Sequence, residues 1–341
     1  RQRVKMYLAD NNVFGVDLNP TAVELAEISL WLNTIYEGAY VPWFGLQLAN
    51  GNSLIGARRE TYPTHLLAAR KGKGGNKARW PEEAPTPLEY GGAADTTFDP
   101  PLDTPHSQRP QDAVYHWLLG DPGMSKYEDK VIKQLAKPRL DQIKDWRNGF
   151  VTPFSDDDLD ELCALSAAAD TLFQRHEDAL RQLRAETTTP LAVWQGESQG
   201  ESEKVKSDSE FHPSKSNLHN SPTTHDKDLR LAEKIRHPYS AYSRLKLAMD
   251  YWCALWFWPI EQAAHLPTRQ QFLTEMGVLL GYLPGFERSL EQGEMEALLV
   301  QVGGQKIEVQ QANLDLDEAV VNVDTLCVQS ERLRLVRQIA N

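Results

Sequence analysis

A short apolar run that ends in an acid and passes directly into a helix constrains this chain more than any other stretch. The residues are VFGVDLNPTAVELAEISLWL, positions 13–32. VFGVDL has the character of a short strand, Asn19 can cap the next helix, and Pro20 suits its first turn. The helix is predicted to run to about Tyr36. Because its apolar residues cover most of its circumference, we expect it to be largely buried.

A second predicted strand ends in a polar turn, within FGLQLANGNSLIG at positions 44–56. An acid at a strand end, such as Asp17, can accept two hydrogen bonds from the hydroxyls of a ribose. In the turn, the Asn52 side chain can accept a hydrogen bond from an adenine amino group, and the Ser53 backbone N–H can reach a ring nitrogen. Leu18 can pack on the adenine face. These four residues form the candidate nucleotide site.

The segments NNVFGVDLNPTAVELAEISLWLNTIYEG and VPWFGLQLANGNSLIGARR together resemble the large adenine-N6 DNA methyltransferases of bacterial phage-defence systems. These are the DISARM type and its relatives among fused restriction–modification enzymes. The resemblance, over residues 1–59, implies S-adenosyl-L-methionine as the cofactor and a Rossmann-like fold. It makes Asp17 the ribose-binding acid of the second family motif and Gly51–Leu54 the adenine-recognising third motif. The family often has Asp at the position of Asn52, whose amide keeps an acceptor oxygen without the charge.

Two motifs of that family do not occur in the sequence. One is the glycine-containing turn that cradles the methionine moiety, which should precede Arg1. The other is the N-P-P-aromatic motif that holds the flipped target adenine. We therefore expect an internal fragment with no catalytic residue, no methyltransferase activity of its own and at best weak affinity for the cofactor. The expected fold class is α/β, a partial Rossmann-like methyltransferase fold with a large, mainly helical insertion.

Composition divides the chain into five segments. Residues 1–56 are the predicted cofactor-binding region, and residues 57–112, basic and then Pro-rich, are expected to form a long exposed loop. Residues 113–194 are predicted to be helical. Residues 195–228 are polar and of low complexity, which predicts disorder. Residues 229–341 return to helical patterns, with a candidate hairpin at LLVQVGGQKIEV.

The chain carries a net charge of −12, so any contact with DNA must come from a local basic patch. The stretch from position 58 to position 79 contains seven basic residues and one acid, Glu60. Such a run can follow a DNA phosphate backbone, although it can equally be a solvated loop. The candidate DNA-binding residues are Arg58, Arg59, Arg70, Lys71, Lys73, Lys77 and Arg79.

Cysteine spacing and hydropathy bear on metals, membranes and location. Cys163, Cys253 and Cys327 are too far apart for a metal motif, which predicts no metal site and reduced thiols in the cytoplasm. The most apolar run, residues 254–260, is too short to span a bilayer, so we expect no membrane partner. The expected partners are DNA and other subunits of a defence system.

Two other function classes stay open at this point. The first is an NAD-dependent oxidoreductase, in which Asp17 would bind the adenosine ribose of NAD. The second is a non-enzymatic helical interaction module. The turn upstream of Asp17 would distinguish an NAD-dependent oxidoreductase from a methyltransferase, because NAD enzymes carry G-x-G-x-x-G there.

Overall fold

The computed structural model describes residues 1–69, 79–88, 108–189, 191, 222–282, 298–302, 305–309 and 321–340. The structure is mixed α/β and mostly helical, with small sheets. Its helices are α1 (Gln2–Asn12), α2 (Pro20–Thr34), α3 (Lys130–Leu135), α4 (Lys137–Phe150), α5 (Asp156–Thr187), α6 (Thr224–Lys234), α7 (Ala241–Ala254), α8 (Arg269–Leu280), α9 (Val323–Gln329) and α10 (Glu331–Ala340). Its strands are β1 (Gly15–Asp17), β2 (Leu48–Asn50), β3 (Glu60–Pro63), β4 (Thr86–Pro87), β5 (Ala113–Tyr115), β6 (Leu298–Val302) and β7 (Gln305–Val309).

The chain divides into two compact units. Unit 1 comprises Arg1–Ile55 and Ala179–Arg236, and unit 2 comprises Gly56–Asp178 and His237–Asn341. The first segment of unit 1 therefore ends beside the boundary drawn at residue 56 from the sequence. Its second segment, which includes the end of α5 and all of α6, was not anticipated.

Unit 1 is built on a two-stranded parallel sheet. Gly15 of β1 pairs with Leu48 of β2, and Asp17 pairs with Asn50. Parallel strands need a crossover between them, and α2 provides it. A small core lies against this sheet, with three buried residues and three partly buried residues of α2 packed on them. These are Ala9, Phe44 and Leu48, and Val23, Ala26 and Leu30.

Helix α2 begins as predicted but is not buried as predicted. The Asn19 side chain accepts a hydrogen bond from the Thr21 backbone N–H at 3.0 Å, and Pro20 opens the first turn, which confirms the predicted cap. The expectation of a largely buried helix is wrong, since Thr34 is its one buried residue and Leu25 and Leu32 are exposed. Helix α1 and two strands of three residues cover one face of the helix, and the described residues leave the other face exposed.

Helix α6 joins unit 1 through side-chain contacts. The Trp43 indole N–H donates to the Asp228 carboxylate at 2.7 Å, and the aliphatic stem and ammonium of Lys227 are buried. The helix starts with a capping box between Thr223 and Asp226. Residues 224–228 are therefore helical, although they belong to the segment predicted to be disordered. Residues 195–221 of that segment lie outside the described residues.

Unit 2 begins with a three-stranded antiparallel sheet in the order β4-β3-β5. Thr61 at the centre of β3 pairs with Thr86 of β4 and with Tyr115 of β5. Tyr62, Leu66 and Trp80 are buried in the main core. At these residues the expectation of a long exposed loop over 57–112 is not met, because the stretch contributes strands and core side chains.

The helices of unit 2 pack around one large apolar core. Its central side chains include Trp117, Leu165, Trp258 and Phe272, each at most 1% exposed. The three acids at the start of α5 stand where a helix N-terminus favours negative charge. Strands β6 and β7 form the hairpin predicted from the sequence. None of the helices in the described ranges is long and apolar enough to cross a bilayer.

Candidate functional site

The two halves of the predicted nucleotide site meet at one edge of the β1–β2 sheet. Asp17 ends β1 and lies beside Asn50, which ends β2. The Gly51 N–H donates to the Asp17 carbonyl oxygen at 2.9 Å, so the polar turn begins directly against the acid. Carboxyl ends of parallel strands are where α/β folds place nucleotide ligands. The structure thus brings together two stretches separated by 34 residues in the sequence.

Asp17 is exposed and only partly engaged. Its Oδ1 accepts a hydrogen bond from the Asn19 N–H at 2.8 Å. Its Oδ2 has no hydrogen bond to any residue in the described part of the chain. Since Asn19 itself caps α2, the Asp17 carboxylate is not needed for that cap. One carboxylate oxygen is therefore held by the turn, and the other faces solvent as an acceptor.

Asn50 is a site residue that the sequence reasoning missed. Its Nδ2 donates to the carbonyl oxygens of Asp17 and Leu18, at 3.0 Å each. This side chain ties the end of β1 to the end of β2 and so fixes the backbone that carries Asp17. The sequence signal that could have identified Asn50 is its position at the end of the second predicted strand. An amide side chain there can reach the carbonyl oxygens at the end of the neighbouring parallel strand.

Asn52 is used differently from the prediction. Its Oδ1 accepts hydrogen bonds from the backbone N–H groups of Leu54 at 2.9 Å and Ile55 at 3.3 Å. The oxygen predicted to accept from an adenine amino group is thus occupied by its own turn. Among the described residues, the Asn52 Nδ2 and the Ser53 backbone N–H have no acceptor. In this conformation the turn presents donors rather than an acceptor.

The rim of this edge is apolar and open. Leu18 is 72% exposed and Leu54 is 90% exposed, which is costly in water unless a ligand or partner covers them. A Cβ added to Gly51 would lie 3.6 Å from Val16 Cγ1, an ordinary contact. The fold itself therefore leaves room for a side chain at Gly51, and the absence of one keeps the backbone accessible.

Three of the seven candidate DNA-binding residues lie in the described part of the chain, and each of them is near a glutamate. Arg59 lies in unit 2, with its Nη1 2.5 Å from Glu177 Oε1 and its guanidinium 4.3 Å from the centre of the Phe173 ring. Arg79 pairs with Glu83 at 2.7 Å. Arg58 is mostly exposed and 3.7 Å from Glu60. The other four candidates lie outside the described residues: Arg70, Lys71, Lys73 and Lys77.

Two histidines of unit 2 predict a pH dependence of its stability. Burial lowers the pKa of His116, whose Nε2 accepts a hydrogen bond from the Arg58 N–H at 3.1 Å. Burial also lowers the pKa of His176, whose ring packs at a tilt against that of Tyr242. As the pH is lowered, these histidines are therefore protonated at a higher pH in the unfolded chain than in the folded one. Their contribution is therefore full above about pH 6.5 and is lost as the pH falls through the folded pKa values.

We expect the urea concentration at the unfolding midpoint of unit 2 to decrease as the pH is lowered from about 7 to about 5. The slope should flatten in a double variant His116→Gln/His176→Gln. Urea unfolding at several pH values, followed by circular dichroism, measures both. An equal slope in the wild type and in the double variant would contradict this assignment.

Within the described ranges, no group of three or more His, Cys, Asp or Glu side chains is arranged to hold a metal ion. Comparison with models of known protein families, with curated protein sequences and with solved structures gives no match. The functional argument therefore depends on the geometry of the strand edge and on the motifs at that edge.

Proposed function

We propose that this chain carries the adenosine-binding part of an S-adenosyl-L-methionine-dependent adenine-N6 DNA methyltransferase of the phage-defence type. One observation carries the proposal. The parallel pairing of β1 and β2 places Asp17 beside Asn50 and Gly51, so the residues that resemble the second and third family motifs share one edge. A parallel strand–helix–strand unit of this kind supports the partial Rossmann-like arrangement that the resemblance implies. The exposed apolar rim and the open Oδ2 of Asp17 support a ligand at this edge.

Each group at the edge has a role suited to adenosine. The free Oδ2 of Asp17 accepts from the ribose hydroxyls, and charge assistance makes such bonds strong. Leu18 packs on one face of the adenine, which covers apolar surface on both partners. The Ser53 N–H donates to a ring nitrogen. Gly51 lets the base approach the backbone closely.

Recognition of the adenine amino group needs a different route from the one expected. Because the Asn52 Oδ1 is held by Leu54 and Ile55, it accepts from the ligand only if the turn reorganises. Without that change, the Asn52 Nδ2 offers a donor to a ring nitrogen. This reassignment predicts weaker discrimination of the amino group than an Asp at this position would give.

The bound cofactor supplies a methyl group on a positively charged sulfur, which is already activated towards an amine nucleophile. The residues of this chain bind and orient the adenosine end, and positioning of this kind is a large part of the catalysis of a bimolecular transfer. No N-P-P-aromatic motif for the target base is present in the sequence. DNA and other defence-system subunits are the proposed partners, and we expect cofactor binding without methyl transfer from this chain alone.

Replacement of Asp17 by alanine should weaken binding of S-adenosyl-L-methionine by about 10- to 100-fold, because hydrogen bonds to a charged acceptor contribute about 1.5–3 kcal/mol. Isothermal titration calorimetry of the 341-residue chain measures this. Glu24→Ala is the matched control, since Glu24 is an exposed carboxylate on α2 outside the site. Its affinity should equal that of the wild type.

Titration with NAD separates the proposal from the oxidoreductase alternative. Preference for S-adenosyl-L-methionine over NAD, lost in Asp17→Ala, supports the methyltransferase. Tighter binding of NAD than of S-adenosyl-L-methionine would contradict the methyltransferase proposal and support the NAD-dependent oxidoreductase alternative. Equal affinity of Asp17→Ala and the wild type for both ligands would remove Asp17 from the site.

A further inference from the structure

Unit 2 contains a cavity whose lining is basic, although the chain as a whole is acidic. The cavity has a volume of about 370 Å³ and lies between residues 125–128 and the helices α3 and α4. Its lining includes five cations and two carboxylates: Lys126, Lys133, Lys137, Lys144 and Arg147, and Glu128 and Asp141. The lining therefore carries more positive than negative charge, although the net charge of the chain is −12.

Three of these cations form no side-chain hydrogen bond or ion pair with any residue that the structure describes: Lys133 on α3, and Lys137 and Lys144 on α4. Lys126 pairs with Glu128 at 2.9 Å, and Arg147 donates to the Met124 carbonyl at 3.0 Å. Lys137 and Lys144 are both exposed. An anion in the cavity would therefore gain these ammonium groups without breaking an existing ion pair.

Residues 125–128, which border this cavity (the groove), are held by hydrogen bonds to the backbone of residues 255 and 258. Ser125 has a φ of 48°, the one positive φ of a non-glycine residue in the described ranges. Its Oγ donates to the Leu255 carbonyl at 2.7 Å, and the Tyr127 hydroxyl donates to the Trp258 carbonyl. Backbone strain of this kind persists where surrounding contacts enforce it and is common at ligand sites. The groove is therefore preformed rather than assembled by the ligand.

The spacing of the two free cations on α4 indicates an extended polyanion. Lys137 and Lys144 are seven residues apart, which is about two helical turns or about 10 Å along α4. One strand of a DNA duplex presents a phosphate every 3.4 Å or so along its axis, so this distance spans about three phosphates. A polyanion that runs along α4 can therefore contact both ammonium groups at once.

We propose that the groove between residues 125–128, α3 and α4 binds the phosphate backbone of duplex DNA. The choice of DNA rests on the proposed function, and the groove gives that function a substrate-contacting surface outside the basic run from Arg58 to Arg79. Contacts of this kind position the duplex and are independent of its base sequence. Lys137 and Lys144 are the residues that contribute most.

The test measures binding of the 341-residue chain to a mixed-sequence duplex of about 20 base pairs by biolayer interferometry, at several salt concentrations between about 50 and 200 mM. The variant is Lys137→Glu/Lys144→Glu. The matched control is Lys130→Glu/Arg139→Glu, which makes the same charge change at one exposed position on α3 and one on α4, neither of which lines the cavity.

We expect the groove variant to bind at least about 10-fold more weakly and to reduce the log–log salt slope by about two, because each phosphate contact contributes about 0.9 to that slope. The control variant should stay within about threefold of the wild type. Equal losses in both variants, or no duplex binding by the wild type, would overturn the proposal. So would tighter groove-dependent binding of heparin than of the duplex.

These outcomes are separable from those of the cofactor experiment. Asp17→Ala should leave duplex binding unchanged, and Lys137→Glu/Lys144→Glu should leave binding of S-adenosyl-L-methionine unchanged. Failure of the groove alone would leave the adenosine site standing. Failure of the cofactor alone would leave a DNA-binding unit 2 without a methyltransferase assignment.

Discussion

Replacement of Glu275 by alanine is expected to lower the free energy of unfolding of unit 2 by about 3–5 kcal/mol. Glu275 is 1% exposed. Its Oε1 accepts from the guanidinium of Arg332 on α10, and its Oε2 accepts from the hydroxyl of Tyr251 on α7. Burial and the nearby Glu275 carboxylate raise the pKa of Tyr251, so the phenol stays a donor. Alanine leaves the Arg332 charge and the Tyr251 hydroxyl without this acceptor.

Two further variants separate charge from packing in this network. Glu275→Gln keeps an acceptor of nearly the same shape and should cost less than Glu275→Ala. Arg337 lies on α10, as Arg332 does, and its exposed ion-pair partner is Asp324 on α9. Asp324→Ala removes that partner and should lower the free energy of unfolding by at most about 1 kcal/mol. Urea unfolding followed by circular dichroism measures all three. If Glu275→Ala costs no more than Asp324→Ala, the network does not hold α10 in place.

Replacement of Trp80 by alanine should cost about 3–5 kcal/mol, the range for truncating a buried aromatic side chain. Trp80 is 2% exposed, and its ring centre lies 5.4 Å from that of Phe154. Its indole N–H donates to the Gly120 carbonyl at 3.0 Å. The side chain thus connects residues 79–88 to two distant parts of unit 2.

Trp80→Phe retains most of the apolar volume and removes the donor, so it isolates the hydrogen bond to Gly120. Its cost should be clearly below that of alanine. Phe257→Ala is the matched aromatic control, because Phe257 in unit 2 is exposed. The same urea experiment serves, and a Trp80→Ala variant as stable as Phe257→Ala would show that residues 79–88 are not anchored by this side chain.

Features controlled by local interactions were predictable from the sequence. The cap at Asn19 and the β6–β7 hairpin depend on residues close together in the chain, and both are confirmed. Burial of α2 was not predictable in the same way. Hydrophobic periodicity shows which positions are apolar, but it does not show whether a surface is present to cover them.

Pairing between distant residues explains the other differences. Thr61 and Tyr115 are paired in the sheet of unit 2, but the basic and Pro-rich composition between them indicated only a loop. At the site, the sequence predicted that Asp17 and the polar turn belong to one nucleotide site, and the pairing of β1 with β2 places them at one edge. The role of Asn50 and the occupied oxygen of Asn52 depend on turn geometry, which composition does not determine.

The distribution of tryptophan gives unit 2 its own optical signal. Six of the nine tryptophans fall in its two segments: Trp80, Trp117, Trp146, Trp252, Trp256 and Trp258. Because Trp80, Trp117 and Trp258 are shielded from water, their emission shifts to longer wavelength when unit 2 unfolds. Intrinsic fluorescence therefore follows mainly unit 2, whereas ellipticity follows helices of both units. Where the two signals have different midpoints, the units unfold separately.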